Sequence, residues 1–430
     1  MAYATQRGSL YITGLGHEYP RYTYGQEEFE NVITKMYPQY RTSPGLQKLI
    51  QLNRKTQIQS RQSVLDITSW TADDAVPPPI DELSRMYRRL GVDLAAAAST
   101  KAMQDANVVP ADITHVVAVT CTDQGNPGFE LLVCKQLKLQ PTVQRVLLHG
   151  VGCAGGLSAL RTAADIAAAE TYKGRVARVL VVACELCSLF LKAELHAANQ
   201  DETLHVAPAL FSDAAAAIVV CNSLAMEKHQ EPLFQLLEWG SLTVPGSLDH
   251  MSYCIQPDGM IATITKDVPI KAVGAIQPIL DHLRAAANRS PKENEWMQLK
   301  PSEFDWALHP GGAAILQGAQ QALQLSNSHL HASRNIYHSY GNSSSPTVLI
   351  VLEELQKMAP GRDHVVAASF GPGMMIEMCV MKRCRDDMSA QPLQKKKKLG
   401  KTRQLWPHLQ CRLARMIRRI SVPEPVRKVE

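Results

Sequence analysis

The sequence has little of what marks secreted, membrane-spanning or metal-stabilised chains. Residues 1–16 lack the charged start and long apolar run of a secretory signal. No stretch approaches the ~20 uninterrupted apolar residues that cross a bilayer. The ten cysteines are scattered, and the one CxxC, at Cys184 and Cys187, has no second pair at zinc-ribbon spacing. These absences predict a cytoplasmic protein in a reducing compartment, without a structural metal.

The composition is that of an ordinary globular protein, but its charge is unevenly spread. Of the 430 residues, 45% are apolar and 20% are charged, which is enough for a large core. From Lys382 onward there are fifteen Lys and Arg against four Asp and Glu, a net charge of +11, so the preceding 381 residues carry −6. The body is therefore mildly acidic, and nucleic acid is not an expected partner.

From about residue 110, short β-branched runs alternate with helical patterns, which predicts an α/β sheet with helices on its faces. Two landmarks recur at nearly one offset. His149 and His309 follow similar strands 160 residues apart, and Phe211 and Phe370, in ALFSDA and ASFGPG, are 159 apart. This offset predicts two repeated halves, although two short matches can also agree by chance.

The repeat has a geometric consequence for the helices that follow the two histidines. If the halves are related by symmetry, the helix starting near Cys153 and the helix starting near Gly311 become symmetry mates. Their N-termini would then face one pocket. The predicted organisation is an N-terminal half over 1–228, a C-terminal half over 229–384 and a basic tail over 385–430.

Cys153 lies in HGVGCAGGLSALRTAAD, where a predicted strand ends and a helix begins. Helix N-termini carry partial positive charge and free N–H donors, so a thiol there is expected to have a lowered pKa. The small neighbours leave room for a substrate, and Gly152 permits a sharp turn. The pattern favours a nucleophile, with a buried structural cysteine as the alternative.

Two further residues have the side chains that such a nucleophile needs. His309, in ALHPGGAAIL, stands at another strand-to-helix corner, where it can share a proton with Cys153. Asn342 lies in the turn YGNSSS before a helix that Ser345 is expected to cap, and its amide can donate to a developing oxyanion. A satisfied core histidine and a simple turn asparagine remain the alternatives.

Four motifs together resemble the chalcone synthase-like family, the type III polyketide synthases. They are GCAGG at 152–156, HPGG at 309–312, YGNSSS at 340–345 and SFGPG at 369–373, in which Ser369 replaces the first glycine of the family's GFGPG. The match runs from about residue 8 to 384. The resemblance implies a thiolase-type α/β fold, with two duplicated βαβαβαββ halves forming a five-layered αβαβα core, and a homodimer.

On this resemblance Cys153 is the nucleophile that accepts the acyl group. His309 and Asn342 would bind the thioester carbonyl of malonyl-CoA and stabilise the enolate formed by decarboxylation. The thioester carbonyl is the electron sink, so no metal and no cofactor is expected besides the CoA thioesters themselves. The same motifs imply four further substrate-binding residues: Gly311, Gly371, Pro372 and Ser344.

The resemblance also implies a gate between a CoA tunnel and the cavity. Phe211 matches one of the family's two gatekeeper phenylalanines, and the other aligns near Ala262. A methyl in place of a phenyl ring opens volume and favours a bulkier or longer acyl starter. A plain core aromatic is the alternative for Phe211.

A helical stretch beginning near residue 46 matches the family's CoA-binding helix. Lys48 and Lys55 fall on its basic positions and share a helix face, while Gln51 replaces an arginine for which Arg54 is expected to compensate. A solvated charged face is the alternative. Asn126, in NPG, is expected at the interface with the partner subunit.

The predicted reaction is iterative decarboxylative condensation of malonyl-CoA onto an acyl-CoA starter, followed by cyclisation to alkyl α-pyrones or resorcinols. Ala262, together with a resemblance to the fungal alkylpyrone and alkylresorcinol synthases of the family, points to a fatty acyl starter. One alternative is a ketoacyl-ACP synthase III-like enzyme that condenses once. A papain-like protease also uses Cys, His and Asn, but its CGSCW-like stretch is missing. The non-enzymatic alternative is a basic-tailed binding protein on the same fold.

The tail ends in a stretch, 408–420, with leucine and isoleucine on one side and arginine on the other, which is typical of a short cationic amphipathic helix. We predict peripheral contact with anionic membrane; disorder without function, or a nuclear address in the KKKK run, is the alternative. Truncation after residue 384 should abolish binding to anionic liposomes in a flotation assay. Equal flotation of the truncated and full-length chains would contradict the prediction.

Overall fold

Strands and helices alternate through the part of the chain that the computed structural model describes, residues 8–226, 231–287, 295–358 and 361–384. The strands are β1 (Leu10–Glu18), β2 (Tyr22–Gly25), β3 (Ser60–Ser63), β4 (His115–Val119), β5 (Gln144–Leu148), β6 (Arg178–Leu186), β7 (Asp213–Asn222), β8 (Phe234–Thr243), β9 (Met251–Gln256), β10 (Gly259–Ile264), β11 (Asp305–Leu308), β12 (His364–Gly371) and β13 (Met375–Arg383). The α-helices are α1 (Gln26–Met36), α2 (Pro44–Lys55), α3 (Ile80–Asp105), α4 (Phe129–Gln136), α5 (Gly155–Tyr172), α6 (Leu191–Gln200), α7 (Ala207–Leu210), α8 (Val268–Ala286), α9 (Ala313–Ala322), α10 (His331–Tyr340) and α11 (Ser345–Lys357).

Nine strands form one mixed sheet in the order β11-β12-β13-β8-β1-β7-β6-β4-β5. β1 and β8 join its two parts, since Leu10 pairs with Leu236 and Ile12 with Phe234. In the first part β4 runs parallel to β5 and β6, and β7 closes it antiparallel to β6. In the second part β11 runs parallel to β12, and β13 closes it in the same way. The two parts thus share one topology.

Alternation along the strands builds five layers, because successive side chains point to opposite faces of a sheet. On β4, Val117 and Val119 pack in the central cluster with α5 and α11, whereas Val116 and Ala118 pack in a second cluster with α3 and α4. The side chains of β12 also alternate between two clusters, and those that point outward pack with α8 and α9 in a third cluster. The layers are helix, sheet, helix, sheet, helix, as predicted.

The central layer depends on a close approach of α5 and α11. A Cβ atom on Gly156 would lie 2.4 Å from the carbonyl oxygen of Ser345, so only glycine permits this spacing. Leu157 on α5 and Val348 and Leu352 on α11 fill the rest of the contact, all at most 2% exposed. Because both helices begin at this contact, their N-terminal turns lie side by side.

The predicted pairing of helices was wrong in one respect. In the shared topology β11 corresponds to β4, because β11 runs parallel to β12 as β4 runs parallel to β6. It does not correspond to the edge strand β5. The symmetry mate of the Cys153 helix is therefore α11, which begins after Asn342, and not α9, which begins after Gly311. The similar LHG and LHP segments precede helices that are not symmetry mates. The match between 209–214 and 368–373 does precede the two closing strands, β7 and β13.

The second half differs from the first in its edge. Between α9 and α11 the chain forms a 3-10 turn, Asn327–Leu330, and α10, where the first half has its third strand, β5. The predicted boundary at 228/229 falls in 227–230, outside the described residues, as does the tail with its predicted helix. Within the described residues, no helix combines the length and the apolar character needed to span a bilayer.

Candidate active site

Cys153 lies in a 3-10 turn, Gly152–Ala154, between β5 and α5. Gly152 has φ +46°, and a Cβ there would come within 2.6 Å of the ring of Pro372. The turn therefore requires glycine, both for its left-handed backbone and for the contact with the proline. Gly371 packs below the same turn, since a Cβ on it would lie 2.3 Å from the Val151 carbonyl oxygen. The SFGPG segment thus shapes the nucleophile turn.

Asn342 is held to the Phe211 segment by backbone hydrogen bonds. Its N–H donates to the carbonyl of Leu210 at 3.0 Å, and its carbonyl accepts from Ser212 N–H at 2.9 Å. The side-chain oxygen accepts from the N–H of Ser344 at 2.8 Å and from the hydroxyl of Thr347 at 3.4 Å. This network assigns the amide nitrogen to the side of Cys153, whose pKa it helps to lower.

His309 follows β11 directly, and its N–H donates to the carbonyl of Ala368 at 2.8 Å. The ring is buried, and neither Nδ1 nor Nε2 has a hydrogen-bond partner among the described residues. Burial lowers the pKa of His309 to about 3, so the ring is neutral at pH 7. Buried polar atoms in native proteins nearly always have partners, so a ring with both nitrogens unsatisfied indicates a place for a ligand.

These residues line one cavity with about 650 Å³ of empty space. Eight of the twelve predicted site residues are among those that line it. The lining comprises Cys121, Gly152, Cys153, Cys187, Phe211, Met251, Ser252, Tyr253, Ala262, Ile264, Val268, His309, Gly311, Ile315, Asn342, Ser344, Phe370 and Pro372. The cavity draws its residues from both halves of the chain.

The expected low pKa of the nucleophile was wrong for the ligand-free chain. Burial raises the pKa of the Cys153 thiol to about 11, against the opposing hydrogen bond to Ser344 Oγ at 3.4 Å. Desolvation disfavours the thiolate more than the hydrogen bonds from Ser344 and Asn342 favour it. Because the thiol is neutral, a base must take its proton before it can attack. His309 is neutral and lines the same cavity, but no hydrogen bond joins the two side chains.

The expected cap of α11 was also wrong. The helix begins at Ser345, so that Ser344 occupies the cap position, and its side chain makes no capping hydrogen bond. Ser344 has φ +59°, an unfavourable backbone for a non-glycine residue that is found most often at functional sites. Its hydroxyl instead contacts Cys153 and, at 3.8 Å, the sulfur of Cys121.

Sequence reasoning missed Glu185, a fully buried carboxylate at the end of β6. It accepts hydrogen bonds from Ser345 Oγ at 2.5 Å, Thr122 Oγ1 at 2.9 Å and the N–H of Cys121 at 3.0 Å. Burial raises its pKa, and these donors lower it. Glu185 therefore ties β4 and β6 to the start of α11 below the cavity. The signal in the sequence that could have identified it is the single acidic residue at the end of the apolar run RVLVVACE.

The two predicted gate positions both border the cavity. Phe211 ends α7, and Ala262 lies on β10 opposite Tyr253 of β9. A second pocket of about 330 Å³ adjoins the first and shares Cys187, Phe211 and Tyr253 with it. No aromatic side chain occupies position 262, so the wall there is formed by a methyl group. Cys121, Cys187 and Tyr253 were not predicted from the sequence.

The predicted CoA helix is α2, whose basic residues are exposed and do not line the cavity. Lys48 Nζ donates to the carbonyl of Glu202 at 2.6 Å. Arg54 pairs with Glu30, with Nη2 2.6 Å from Oε2, so much of its charge is already neutralised. Lys55 has no ion pair among the described residues. Asn126 is exposed in a loop before α4.

No group of three or more His, Cys, Asp or Glu in the described residues is arranged to hold a metal ion. The chemistry available at the site is that of a thiol, a neutral imidazole and a carboxamide in an apolar cavity. Such a set suits acyl transfer, since it supplies a nucleophile, a base and an oxyanion donor.

Fold and site together are those of a thiolase-type acyltransferase. Comparison with known proteins narrows the class. The N-terminal domain of chalcone and stilbene synthases matches residues 2–223, and the C-terminal domain matches 239–385. The chain therefore belongs to the chalcone and stilbene synthase family and is an acyltransferase of the type III polyketide synthase class, as the motifs predicted.

Its relatives include several fungal enzymes. It is 45% identical over 389 residues to the type III polyketide synthase pspB of Penicillium soppii, covering 88% of this chain and 97% of that one. It is 34% identical over 382 residues to the acylalkylpyrone synthase csyB of Aspergillus oryzae, covering 87% and 94%. The crystal structure of a fungal type III polyketide synthase, ORAS, superposes with a TM-score of 0.82 at 37% identity, covering 87% and 99%. The thiolase-type fold is thereby confirmed.

The raised pKa of Cys153 predicts how it reacts with iodoacetamide. Since only the thiolate reacts, labelling of the free enzyme should rise about tenfold per pH unit from pH 7 to 10. Ser344→Ala should slow it further, because the hydroxyl contact lowers the thiol pKa. Peptide mass spectrometry separates Cys153 from the exposed Cys254, which reports on a solvent-accessible thiol. A plateau below pH 8 would instead indicate a preformed thiolate.

Proposed function

We propose that the chain condenses malonyl-CoA units onto a fatty acyl-CoA starter carried by Cys153 and releases an alkyl α-pyrone or alkylresorcinol. The observation that carries this proposal is the buried His309 ring, with both nitrogens unsatisfied, in one apolar cavity with Cys153 and the Asn342 amide. The His309 ring and the Asn342 amide are therefore available to a bound substrate as hydrogen-bond donors, and the ring is also available as a base.

In the loading step, His309 takes the proton of the Cys153 thiol, and the resulting thiolate attacks the carbonyl carbon of the acyl-CoA. The tetrahedral oxyanion collapses, the bond to the CoA sulfur breaks, and the departing CoA thiolate takes up the proton. A neutral imidazole is the state in which His309 can accept that proton, and burial maintains this state. The contact of Ser344 with the thiol favours its ionisation.

In the extension step, the thioester carbonyl of malonyl-CoA accepts hydrogen bonds from His309 and from the amide of Asn342. The carbon–carbon bond to the carboxylate breaks, carbon dioxide leaves, and its electron pair passes into the carbonyl to form an enolate. The enolate carbon then attacks the thioester carbonyl on Cys153, the bond from that carbonyl to the Cys153 sulfur breaks, and the extended β-ketoacyl chain is released on CoA. The Cys153 thiolate left behind can take up the extended chain for the next round. An amide suits this position, since it donates a hydrogen bond and does not repel the malonyl carboxylate. The thioester is the electron sink, so the reaction as proposed requires no cofactor.

Two features support a long aliphatic starter. Ala262 leaves the cavity wall open where a second gate aromatic is expected, and the adjoining pocket continues past Phe211 and Tyr253. The pocket wall includes Phe190, Leu191 and Ala207, which suit an alkyl chain. The relative from Aspergillus oryzae is described as an acylalkylpyrone synthase. Lys48 and Lys55 on α2 are proposed to meet the phosphates of CoA, with Arg54 contributing less because Glu30 neutralises it.

The alternative function, a single condensation with an acyl carrier protein, would use the same cysteine, histidine and asparagine side chains. The two readings differ in products, since iterative extension with CoA substrates alone yields triketide or longer pyrones and a single condensation stops at a β-ketoacyl thioester. The family match favours the iterative enzyme.

Incubation of the enzyme with malonyl-CoA and starters from short to long fatty acyl-CoA, with coumaroyl-CoA beside them, tests the proposal. We expect pyrone or resorcinol masses, with a higher kcat/KM for medium or long fatty acyl chains. Asn342→Asp should lower kcat by about 10²–10³-fold, because a donor to the oxyanion is replaced by a charge that repels it. Asn335→Ala, which removes an exposed amide on α10, is the matched control and should behave as wild type.

A preference for coumaroyl-CoA would contradict the fatty acyl starter. Products limited to one condensation would favour the rival, and activity in Asn342→Asp equal to that of Asn335→Ala would contradict the role of the amide.

We also propose a homodimer through the edge of the sheet at β5. That strand ends the sheet with exposed Val146, α4 exposes Leu131 beside it, and the Asn126 loop lies next to α4. Light scattering of the purified chain should give twice 47.3 kDa. Val146→Asp should shift the mass toward one chain, because it places charge on the edge that is proposed to be buried. A single-chain mass for the unaltered protein would contradict the dimer.

A further inference from the structure

Glu194, on α6, is a buried carboxylate that the mechanism does not use. Its side chain is 4% exposed. One oxygen, Oε1, accepts the backbone N–H of Ala262 at 2.7 Å. The other, Oε2, lies 3.3 Å from Nδ1 of His205. His205 in turn lies 3.1 Å from Asp201 Oδ2 through its Nε2. The carboxylate therefore bridges a helix to the strand that forms the cavity wall.

The bridged amide belongs to a residue that lines the cavity. Ala262 pairs across the hairpin with Tyr253, and both side chains line the cavity. Tyr253 also lines the adjoining pocket, where Glu194 itself forms part of the wall. A shift of β10 away from α6 would therefore move Ala262 and Tyr253 together. Tyr253 and Phe211 line both the cavity and the adjoining pocket.

A second contact holds the same hairpin to α6. A Cβ on Gly259 would lie 3.0 Å from the Cβ of Ala193 and 3.3 Å from the ring of Phe190. Phe190 meets Tyr253 edge-on, with ring centroids 6.0 Å apart. This packing sets the distance of the hairpin from the helix, but packing alone does not fix a strand along its own length. The hydrogen bond from Ala262 N–H to Glu194 supplies that register.

Stability alone does not account for a carboxylate at this place. Removing two charged groups from water is expensive, and apolar replacements of a buried ion pair are often as stable or more so. Burial raises the pKa of Glu194, while His205 and the Ala262 amide lower it. The free-energy cost of burying Glu194 is explained by its effect on the geometry of the cavity wall at β10. The three-residue chain Asp201, His205 and Glu194 fixes the direction of the accepting oxygen.

We propose that Glu194 is a positioning residue for starter selection, which holds β10 by its hydrogen bond to the Ala262 amide and thereby sets the acyl chain length that the cavity and the adjoining pocket accept. This inference rests on the proposed function for its substrate class. It adds that selectivity at position 262 depends on the backbone placement of the strand as well as on the small side chain.

The test compares Glu194→Ala, which removes the acceptor, with Glu194→Gln, which retains an oxygen for the Ala262 N–H. Each variant is measured with a ladder of acyl-CoA chain lengths, both for binding and for kcat/KM with malonyl-CoA. Loss of one hydrogen bond to a charged group corresponds to roughly tenfold, so Glu194→Ala should reduce the ratio of kcat/KM between the best and the shortest starter about tenfold. The change should lie mainly in KM for the starter. Glu194→Gln should retain most of the ratio.

Amide hydrogen exchange reports on the strand independently of activity. Peptides covering 259–264 should exchange about tenfold faster in Glu194→Ala than in wild type or Glu194→Gln, because the bond that protects the Ala262 amide is lost. Asp105→Ala is the matched control, since Asp105 accepts the N–H of Leu15 at 2.9 Å and lines neither pocket. Asp105→Ala should lower the stability of the fold without changing the binding or the kcat/KM ratio across the acyl chain lengths.

Three results would overturn the inference: an unchanged ladder in Glu194→Ala, a loss in Glu194→Gln as large as in Glu194→Ala, or an equal loss in Asp105→Ala. An inactive wild-type enzyme would contradict the proposed function instead. The binding ladder and the exchange rates would then still decide whether Glu194 holds the wall and sets chain length.

Discussion

The close contact between the N-terminal turns of α5 and α11 is the constraint on which the site depends. Because Gly156 lets the Ser345 carbonyl approach, the turn that carries Cys153 and the turn that carries Asn342 lie side by side in the central layer. Any side chain larger than hydrogen at 156 would separate them. Cys153 and Asn342, nearly two hundred residues apart in the chain, are brought together by this contact.

Around that contact, two walls of the cavity are held by buried carboxylates that take no part in the proposed chemistry. Glu185 ties the ends of β4 and β6 to Ser345, and Glu194 ties β10 to α6. Both carboxylates are buried, and both accept backbone N–H groups, which gives them a fixed direction. The reacting groups are thus presented by an apolar surface whose placement depends on a hidden polar framework.

Burial also decides the protonation states that the chemistry starts from. In an apolar cavity the loss of hydration disfavours charged side chains, so the pKa of Cys153 rises while that of His309 falls. Both groups begin neutral. A proton transfer between neutral partners, completed when a substrate arrives, avoids keeping an ion pair in a dry pocket beforehand.

Much of the fold followed from the sequence itself, as did the residues that the proposed reaction uses. Strand and helix alternation, the glycines around Cys153 and the four motifs are local patterns, and local patterns are set by backbone conformation and short-range packing. The helix pairing of α5 with α11, the pKa of the thiol, and the roles of Glu185 and Ser344 were decided only by tertiary structure. Symmetry mates depend on sheet order, and a pKa depends on burial by residues far away in the chain. A lone acid in an apolar strand does not reveal its partners until the strands are placed.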